Sequence, residues 1–179
     1  MDMEHFYQRF CKEGFDENGV LSFFEPLPAD NFNFAYDVVD EIARLEPDRR
    51  AMVWCNVPGE ERVFTFGEMK QYSDRCAQML ARRGVKKGDK VLLVLKRHYE
   101  FWFTVLALHK IGAVGVPATN LLTTKDILYR FEAAGITACV CSGECSITSY
   151  VDEACQKYHD IGAKWIVRGS REGWLSYDE

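Results

Sequence analysis

Three short polar segments carry side chains that could bind an anionic or polar ligand. Lys96-Arg97-His98 and Ser142-Gly143-Glu144 each follow an apolar run, and Thr119 and Asn120 follow Pro117. Cations beside a helix amino terminus form an anion site, and loops at strand ends are where α/β proteins bind ligands. The alternative is that the cations simply lie in solvent, as most Lys and Arg side chains do. The sequence leaves both interpretations open.

The usual signatures of several enzyme classes are missing from the sequence. It contains no His-Glu-x-x-His pair, no Gly-x-Ser-x-Gly elbow and no Gly-x-Gly-x-x-Gly turn. Gly112-Ala-Val-Gly115 lacks the Lys-Ser/Thr that completes a phosphate-binding Walker loop. The zinc-protease, hydrolase and dinucleotide-binding classes therefore lack their usual support.

The seven cysteines do not form a recognisable metal site. None of them shows the Cys-x-x-Cys spacing of a zinc ligand pair. Cys139 and Cys141 are two positions apart in a predicted strand, so they should lie on the same face. We expect reduced, buried thiols and no bound metal.

Charge and composition argue against a nucleic-acid-binding protein, and the amino terminus and the apolar stretches argue against a secreted or membrane-spanning one. The hydrophobic share of 47% predicts a packed globular chain, and the net charge of -5 comes from 27 acidic and 22 basic residues without a long basic run. We therefore expect no nucleic-acid partner. The amino terminus lacks the cations and apolar region of a secretion signal, and no stretch reaches the roughly 20 apolar residues of a membrane span. These features predict a cytoplasmic protein without a membrane span.

The first predicted elements are a helix and a β-hairpin. Apolar residues recur at helical spacing from Asn33, a plausible helix cap, to Pro47, which ends the pattern. Two apolar runs, residues 51–54 and 62–66, flank the turn signal Pro58-Gly59 and predict the hairpin.

Two helices should begin with a capping box, in which a Ser or Thr side chain and an acid three residues later satisfy free backbone amides. Thr65 and Glu68 have this spacing, as do Thr123 and Asp126. Gly84 is expected to end the first of these helices.

From residue 90 the chain alternates between apolar strands and helices. The predicted strands are residues 91–95, 113–116, 137–141 and 164–167, and the predicted helices between them are residues 99–111, 123–134 and 148–158. This alternation predicts successive βαβ units, that is, an α/β fold with a parallel sheet flanked by helices. Strand 91–95 is apolar throughout, which is typical of a strand covered on both faces.

Three ordered motifs resemble those of the AMP-forming acyl-CoA synthetases, in the adenylate-forming ligase superfamily. Thr65-Phe-Gly-Glu-Met69 is similar to the family's Leu/Tyr-Thr-Tyr-x-Glu-Leu. Gly84-Val-Lys-Lys-Gly-Asp-Lys-Val91 is similar to Gly-Val-x-x-Gly-Asp-x-Val. Leu106-Ala-Leu-His-Lys-Ile-Gly-Ala-Val-Gly-Val-Pro117 is similar to Leu-Ala-x-x-Lys-x-Gly-Ala-x-x-x-Pro. The resemblance covers residues 34–168.

The resemblance implies a parent enzyme that acts in two steps. A carboxylic acid reacts with Mg-ATP to give acyl-AMP and pyrophosphate, and the thiol of CoA then takes the acyl group. Thr123-Thr-Lys-Asp-Ile-Leu-Tyr-Arg-Phe131 looks most like the medium-chain acyl-CoA and acetyl-CoA synthetases, which suggests a medium-chain fatty acid as substrate. ATP, Mg and CoA are therefore expected for the parent, and none for this chain by itself.

The resemblance also suggests where CoA would approach. In relatives, the backbone after the third motif lines the way in for CoA, which implies Thr119, Asn120 and Leu121 as one wall of the entrance. An Arg that some relatives use for a CoA phosphate has no match around Ser146-Ile147.

The family's later motifs, including its Pro-Lys phosphate motif and its mobile lysine, are not in the sequence, so the resemblance implies no catalytic residue in this chain. We therefore expect an amino-terminal lead-in with a short helix at residues 1–33 and an incomplete α/β subdomain at residues 34–179. By itself the chain should be inactive, should need the remainder of the synthetase as partner, and should self-associate through uncovered apolar surface. The alternative is a free-standing, non-catalytic α/β binding or interaction module.

Overall fold

The computed structural model of the chain describes residues 3–27 and 30–178. Residues 1, 2, 28 and 29 of the predicted lead-in, and residue 179, lie outside this described part. The chain divides into two compact units, Met1–Phe32 and Asn33–Glu179.

The first unit contains a short helix and a β-hairpin. A 3-10 helix at Met3–Arg9 precedes two antiparallel strands, β1 (Cys11–Phe15) and β2 (Leu21–Pro26). The Asp16 carboxylate accepts hydrogen bonds from two backbone amides of the turn, those of Asn18 and Val20. The helix agrees with the prediction from the sequence, whereas the hairpin was not predicted. The carboxylate closes the turn locally, and the strands show no clean alternation of apolar and polar residues.

The second unit opens with the predicted helix, whose first part has π geometry. A π-helix at Phe34–Asp40 runs into α1 (Glu41–Leu45), and the Asn33 side chain accepts a hydrogen bond of 3.0 Å from the amide of Ala35. The cap at Asn33 is therefore confirmed, whereas the π geometry was not foreseen.

The predicted hairpin and the capped helix after it are confirmed. Strands β3 (Arg50–Cys55) and β4 (Glu61–Thr65) pair antiparallel. The Thr65 hydroxyl accepts from the Glu68 amide at 3.2 Å, and the Glu68 carboxylate accepts from the Thr65 amide at 2.9 Å. This capping box begins α2 (Phe66–Arg82).

A five-stranded parallel sheet forms the centre of the second unit. Its strands are β5 (Lys90–Val94), β6 (Val114–Pro117), β7 (Ile136–Ser142), β8 (Ala163–Val167) and β9 (Leu175–Ser176). The helices between them are α3 (Glu100–Ile111), α4 (Thr124–Ala134) and α5 (Ile147–Cys155). The order across the sheet is β6-β5-β7-β8-β9 and every pair is parallel. The predicted fold class, a parallel α/β sheet flanked by helices, is confirmed.

Strand β5 is covered on both faces, as its continuous apolar sequence predicted. Val91 and Leu93 pack into one buried cluster with α2 and α3, and Leu92 and Val94 pack into a second one with α4 and α5. Helix α3 is less enclosed than expected, because Trp102 is 52% exposed.

None of the helices within residues 3–27 and 30–178 is both long enough and apolar enough to cross a membrane.

Candidate ligand site at the strand ends

The parallel sheet brings the ends of four strands to one edge. Leu93 of β5 is in register with Pro117 of β6, and Val94 of β5 is in register with Cys141 of β7. Because parallel strands all end at the same edge, the loops after β5, β6, β7 and β8 lie side by side. The three polar segments identified in the sequence are therefore neighbours in space.

These loops and the tip of the β3–β4 hairpin line an open cavity of about 750 Å³, a size typical of small-molecule sites. Its polar and aromatic lining residues are Trp54, Asn56, Lys96, Arg97, His98, Thr119, Asn120, Glu144 and Arg168. Three of these carry a positive charge and one a negative charge, so the cavity favours an anionic ligand.

Two of the three residues expected at the CoA entrance line this cavity, and the third lies outside its lining. Thr119 and Asn120 line the cavity, whereas Leu121 does not and is 81% exposed. The amide of Leu121 donates a hydrogen bond of 3.3 Å to the Thr119 hydroxyl, which fixes the turn between them. Ser142 is fully buried beneath the loop that carries Glu144.

Lys96 and Arg97 are both exposed at the cavity, and Lys96 is held through its side chain whereas Arg97 is held through its backbone. The ammonium of Lys96 donates to the backbone carbonyl of Glu144 at 3.4 Å. The backbone carbonyl of Arg97 accepts a hydrogen bond from the indole N–H of Trp54. The indole therefore joins the hairpin to the loop after β5.

His98 is the buried member of the basic segment, and its environment disfavours the protonated imidazole. Its side chain is almost fully enclosed, and its Nε2 atom lies 2.8 Å from the Ser142 hydroxyl. Burial lowers the pKa of His98 below its ordinary value of 6.5, and the positive charges of Arg168 and Lys96 lower it further, against the opposing effect of Glu144.

Arg168, directly after β8, is a cavity residue that was not predicted from the sequence. Its guanidinium lies 5.3 Å from the ring centre of Trp54 and 5.2 Å from that of Tyr99. It also lies near two carboxylates, 3.5 Å from that of Glu100 and 3.8 Å from that of Glu144. The strand-end rule that identified the other three loops would have found Arg168 if applied to the fourth strand.

Arg168 has an unusual backbone conformation, and its carbonyl oxygen lies very close to Gly143 of the neighbouring loop. Arg168 has a φ of 56°, a left-handed conformation that side chains other than glycine rarely adopt. A Cβ atom on Gly143 would lie 2.5 Å from the carbonyl oxygen of Arg168. The close approach of these two loops therefore requires glycine at position 143.

Glu100 is a second buried titratable group beside the cavity. One of its carboxyl oxygens, Oε2, is buried without a hydrogen-bond partner within the described part of the chain. Burial raises the pKa of Glu100, against the opposing charge of Arg168.

The thiols and acids of the described residues offer no metal site. Residues 3–27 and 30–178 contain no group of three or more His, Cys, Asp or Glu side chains that could hold a metal ion. All seven cysteines are free, and Cys139 and Cys141 lie together in one buried cluster as predicted. Contrary to the expectation that the thiols are buried, Cys55 is exposed and Cys145 and Cys155 are only half-buried.

The fold and the cavity define a class: an open parallel α/β sheet with a ligand site at the carboxyl ends of its strands. Residues 39–176 match the family model described as AMP-binding enzyme. The chain therefore belongs to the AMP-binding enzyme family, and the resemblance found in its three motifs is confirmed.

The curated relatives are acyl-CoA synthetases. The chain is 36% identical over 162 residues to the rat (Rattus norvegicus) protein named acyl-coenzyme A synthetase ACSM4, mitochondrial, a match that covers 87% of this chain and 27% of that protein. It is 36% identical over 155 residues to human (Homo sapiens) ACSM3, also named mitochondrial, covering 83% of this chain and 26% of that protein. The chain thus spans about a quarter of the length of these relatives.

Solved structures confirm the fold. The acetoacetyl-CoA synthetase of Streptomyces lividans superposes with a TM-score of 0.75 at 19% identity, over 87% of this chain and 26% of that one. An acyl-CoA synthetase of Brucella canis gives 0.73 at 22% identity, over 84% of this chain and 27% of that one.

Proposed function

We propose that this chain is part of an AMP-forming acyl-CoA synthetase. The parent enzyme would activate a carboxylic acid, a medium-chain fatty acid, with ATP to acyl-AMP and then form the CoA thioester. The family membership and the names of the curated relatives support this reaction class. The similarity of residues 123–131 to medium-chain synthetases supports the choice of acid.

The observation that carries the proposal is the convergence of the strand-end loops on one cationic cavity. Thr119 and Asn120, proposed as part of the CoA entrance, line this cavity together with Lys96 and Arg97. Hydroxyl, amide and cationic groups are the donors that a phosphorylated ligand such as CoA requires. Leu121 lies outside the cavity lining, and we propose that it contributes through its backbone, which fixes the orientation of Thr119.

The chain supplies scaffold and a binding wall rather than the reacting groups. Acyl transfer through an adenylate needs charge stabilisation around the α-phosphate and a metal ion. Residues 3–27 and 30–178 contain no cluster of three or more His, Cys, Asp or Glu side chains that could hold a metal ion, and we assign no metal ligand here. We propose that ATP, Mg and catalysis depend on the remainder of the synthetase, and that the chain by itself is inactive.

The first test compares this chain with the longest reading frame that contains it. We expect thioester formation from octanoate, ATP and CoA by the product of that reading frame, and no ATP–pyrophosphate exchange by the 179 residues alone. In the longer protein, Asn120→Ala should raise KM for CoA several-fold and leave KM for ATP unchanged, because only the CoA wall is altered. A reading frame that ends at Glu179 would instead favour the non-catalytic binding module.

Two further properties are proposed from the sequence. Self-association is supported by exposed apolar side chains, including Val57 at the hairpin tip, which is 88% exposed. Light scattering at several concentrations should show species larger than a monomer, and a monomer throughout would contradict this.

A cytoplasmic location is likewise a proposal, and the curated relatives are named as mitochondrial proteins. Cell fractionation with an antibody against this chain would separate the two locations.

A further inference from the structure

Arg168 is a cation of the cavity whose hydrogen-bonding capacity is not saturated by the two acids beside it. The guanidinium of Arg168 lies 3.5 Å from the Glu100 carboxylate and 3.8 Å from the Glu144 carboxylate. Tight charge-assisted hydrogen bonds are about 2.7–2.9 Å long. The Lys110–Asp40 ion pair, at 2.8 Å, has that length. Arg168 is therefore held near two acids without a tight bond to either.

The position of Arg168 is built by its surroundings. The guanidinium lies near the rings of Trp54 and Tyr99, which restrict its orientation through cation–π contacts. Its left-handed backbone is held against Gly143, whose amide donates a hydrogen bond of 2.8 Å to the carbonyl of Val167. Left-handed backbone at a residue other than glycine persists only where the surrounding structure enforces it, and such residues concentrate at functional sites.

The two acids beside Arg168 differ in their exposure to solvent, and therefore in the cost of separating each from the guanidinium. The Glu100 side chain is 7% exposed and its Oε2 atom has no hydrogen-bond partner within the described residues. The Glu144 side chain is 46% exposed, so water can replace Arg168 as its partner at little cost. An anion that enters the cavity would therefore compete with Glu144 rather than with Glu100.

We propose that Arg168 binds a phosphate group of the cavity's ligand, and that this phosphate displaces Glu144 from the guanidinium. The planar fork of five N–H donors matches a phosphate, with which Arg commonly pairs in a bidentate manner. The proposal rests on the proposed function for the identity of the ligand as CoA. The phosphate site itself depends only on the geometry around Arg168.

The test measures binding to the purified chain by isothermal titration calorimetry with three probes: CoA, pantetheine, which has no phosphate, and inorganic pyrophosphate. Arg168→Met should weaken CoA binding by roughly tenfold or more, as expected for loss of a hydrogen bond between charged groups. Arg44→Met removes an exposed guanidinium outside the cavity and should leave CoA binding unchanged. Arg168→Lys keeps the charge but loses the fork, and should restore only part of the affinity.

Glu144→Gln provides a test in the opposite direction. Removing the competing carboxylate should tighten CoA binding several-fold, and this gain should disappear when Arg168→Met is added to Glu144→Gln, because the freed guanidinium is then absent. Glu132→Gln removes an exposed acid on α4 and serves as the matched control. If Arg168→Met does not fold, as judged by circular dichroism, Glu144→Gln alone decides, and unchanged or weaker binding by it overturns the proposal.

The probes separate this proposal from the proposed function. CoA binding that is equally strong in Arg168→Met and the parent chain would overturn the role of Arg168 and leave the CoA site standing. Pyrophosphate binding that depends on Arg168, without any CoA binding, would support the phosphate site and contradict the CoA wall. Binding of neither CoA nor pyrophosphate would overturn both.

Discussion

The Nε2 atom of His98 lies 2.8 Å from the Oγ atom of Ser142, so the loop after β5 is joined to the end of β7 by a buried hydrogen bond. The same Ser142 oxygen accepts a hydrogen bond of 3.2 Å from the amide of Glu144. This arrangement fixes the floor of the cavity and orients the loop that carries Glu144. It also makes the stability of the protein depend on the protonation of one imidazole.

We predict that acidification destabilises the protein through His98. Burial, with the charges of Arg168 and Lys96, lowers the pKa of folded His98 below its ordinary 6.5. As the pH falls through 6.5, the imidazole of the unfolded chain binds a proton before that of the folded chain does. The free energy of unfolding therefore decreases until folded His98 is also protonated. Urea unfolding at about pH 7.5 and pH 5.5 measures this loss.

His98→Gln keeps a hydrogen-bonding side chain that cannot titrate, and should reduce the loss of stability between the two pH values. His159→Gln, at an exposed position, is the control and should reproduce the parent chain. An NMR titration that places the pKa of His98 above 6.5 would contradict this account.

We predict that Gly143→Ala destabilises the protein by about 2 kcal/mol or more, because overpacking against a fixed backbone cannot relax. The new Cβ atom would lie 2.5 Å from the carbonyl oxygen of Arg168. Gly162→Ala is the matched control, since its Cβ atom would be 3.8 Å from the nearest heavy atom. Urea midpoints of the two variants give the comparison, and equal midpoints would refute the close approach of the two loops.

We predict that two lysines bound to the same aspartates differ greatly in importance. Lys110 is 2% exposed and lies 2.8 Å from Asp40 and 2.6 Å from Asp74. Lys70 is 44% exposed and lies 3.8 Å from Asp40 and 2.5 Å from Asp74. Lys110→Met should cost about 3 kcal/mol, since it leaves carboxylates without a buried partner.

Lys70→Met should cost less than about 1 kcal/mol, as is usual for an exposed ion pair. Thermal or urea unfolding of the two variants is the measurement. A larger loss for Lys70→Met than for Lys110→Met would show that the buried lysine does not connect α3 to the π-helix and α2 as the structure indicates.

We predict that the capping box before α2 contributes about 1 kcal/mol. Thr65→Ala removes the hydroxyl that accepts the Glu68 amide and should lower the free energy of unfolding by that amount. Thr65→Ser keeps the hydroxyl and should retain most of the stability. If the Ala and Ser variants are equally stable, the cap is not a significant contribution.

Local signals in the sequence were sufficient to predict most of the helices and strands of the second unit. The capping boxes at Thr65 and Thr123, the hairpin turn and the all-apolar strand β5 each arise from residues close together in the chain. Their structures depend on hydrogen bonds and burial that short segments determine. The first hairpin escaped detection because its turn is closed by one carboxylate, that of Asp16, and its strands are not amphipathic.

Residues of the candidate site could be predicted from the sequence only where they come directly after a predicted strand. The segments at Lys96–His98 and Thr119–Asn120 were identified because each follows a strand. The placement of β5 between β6 and β7, and the meeting of Trp54 with Arg168, join residues far apart in sequence. No local pattern encodes such contacts, and they depend on the packing of the whole unit.

The most direct test of the central claim is the binding of CoA to the cavity, followed by two-dimensional ¹H–¹⁵N NMR of the purified chain. We predict that CoA at up to about 1 mM, a range that detects weak binding, shifts the amide signals of residues 96–98, 119–121 and 168. Signals of the exposed face of α4 should remain in place. Shifts confined to other parts of the chain, or none at all, would contradict a CoA-binding wall at the strand ends.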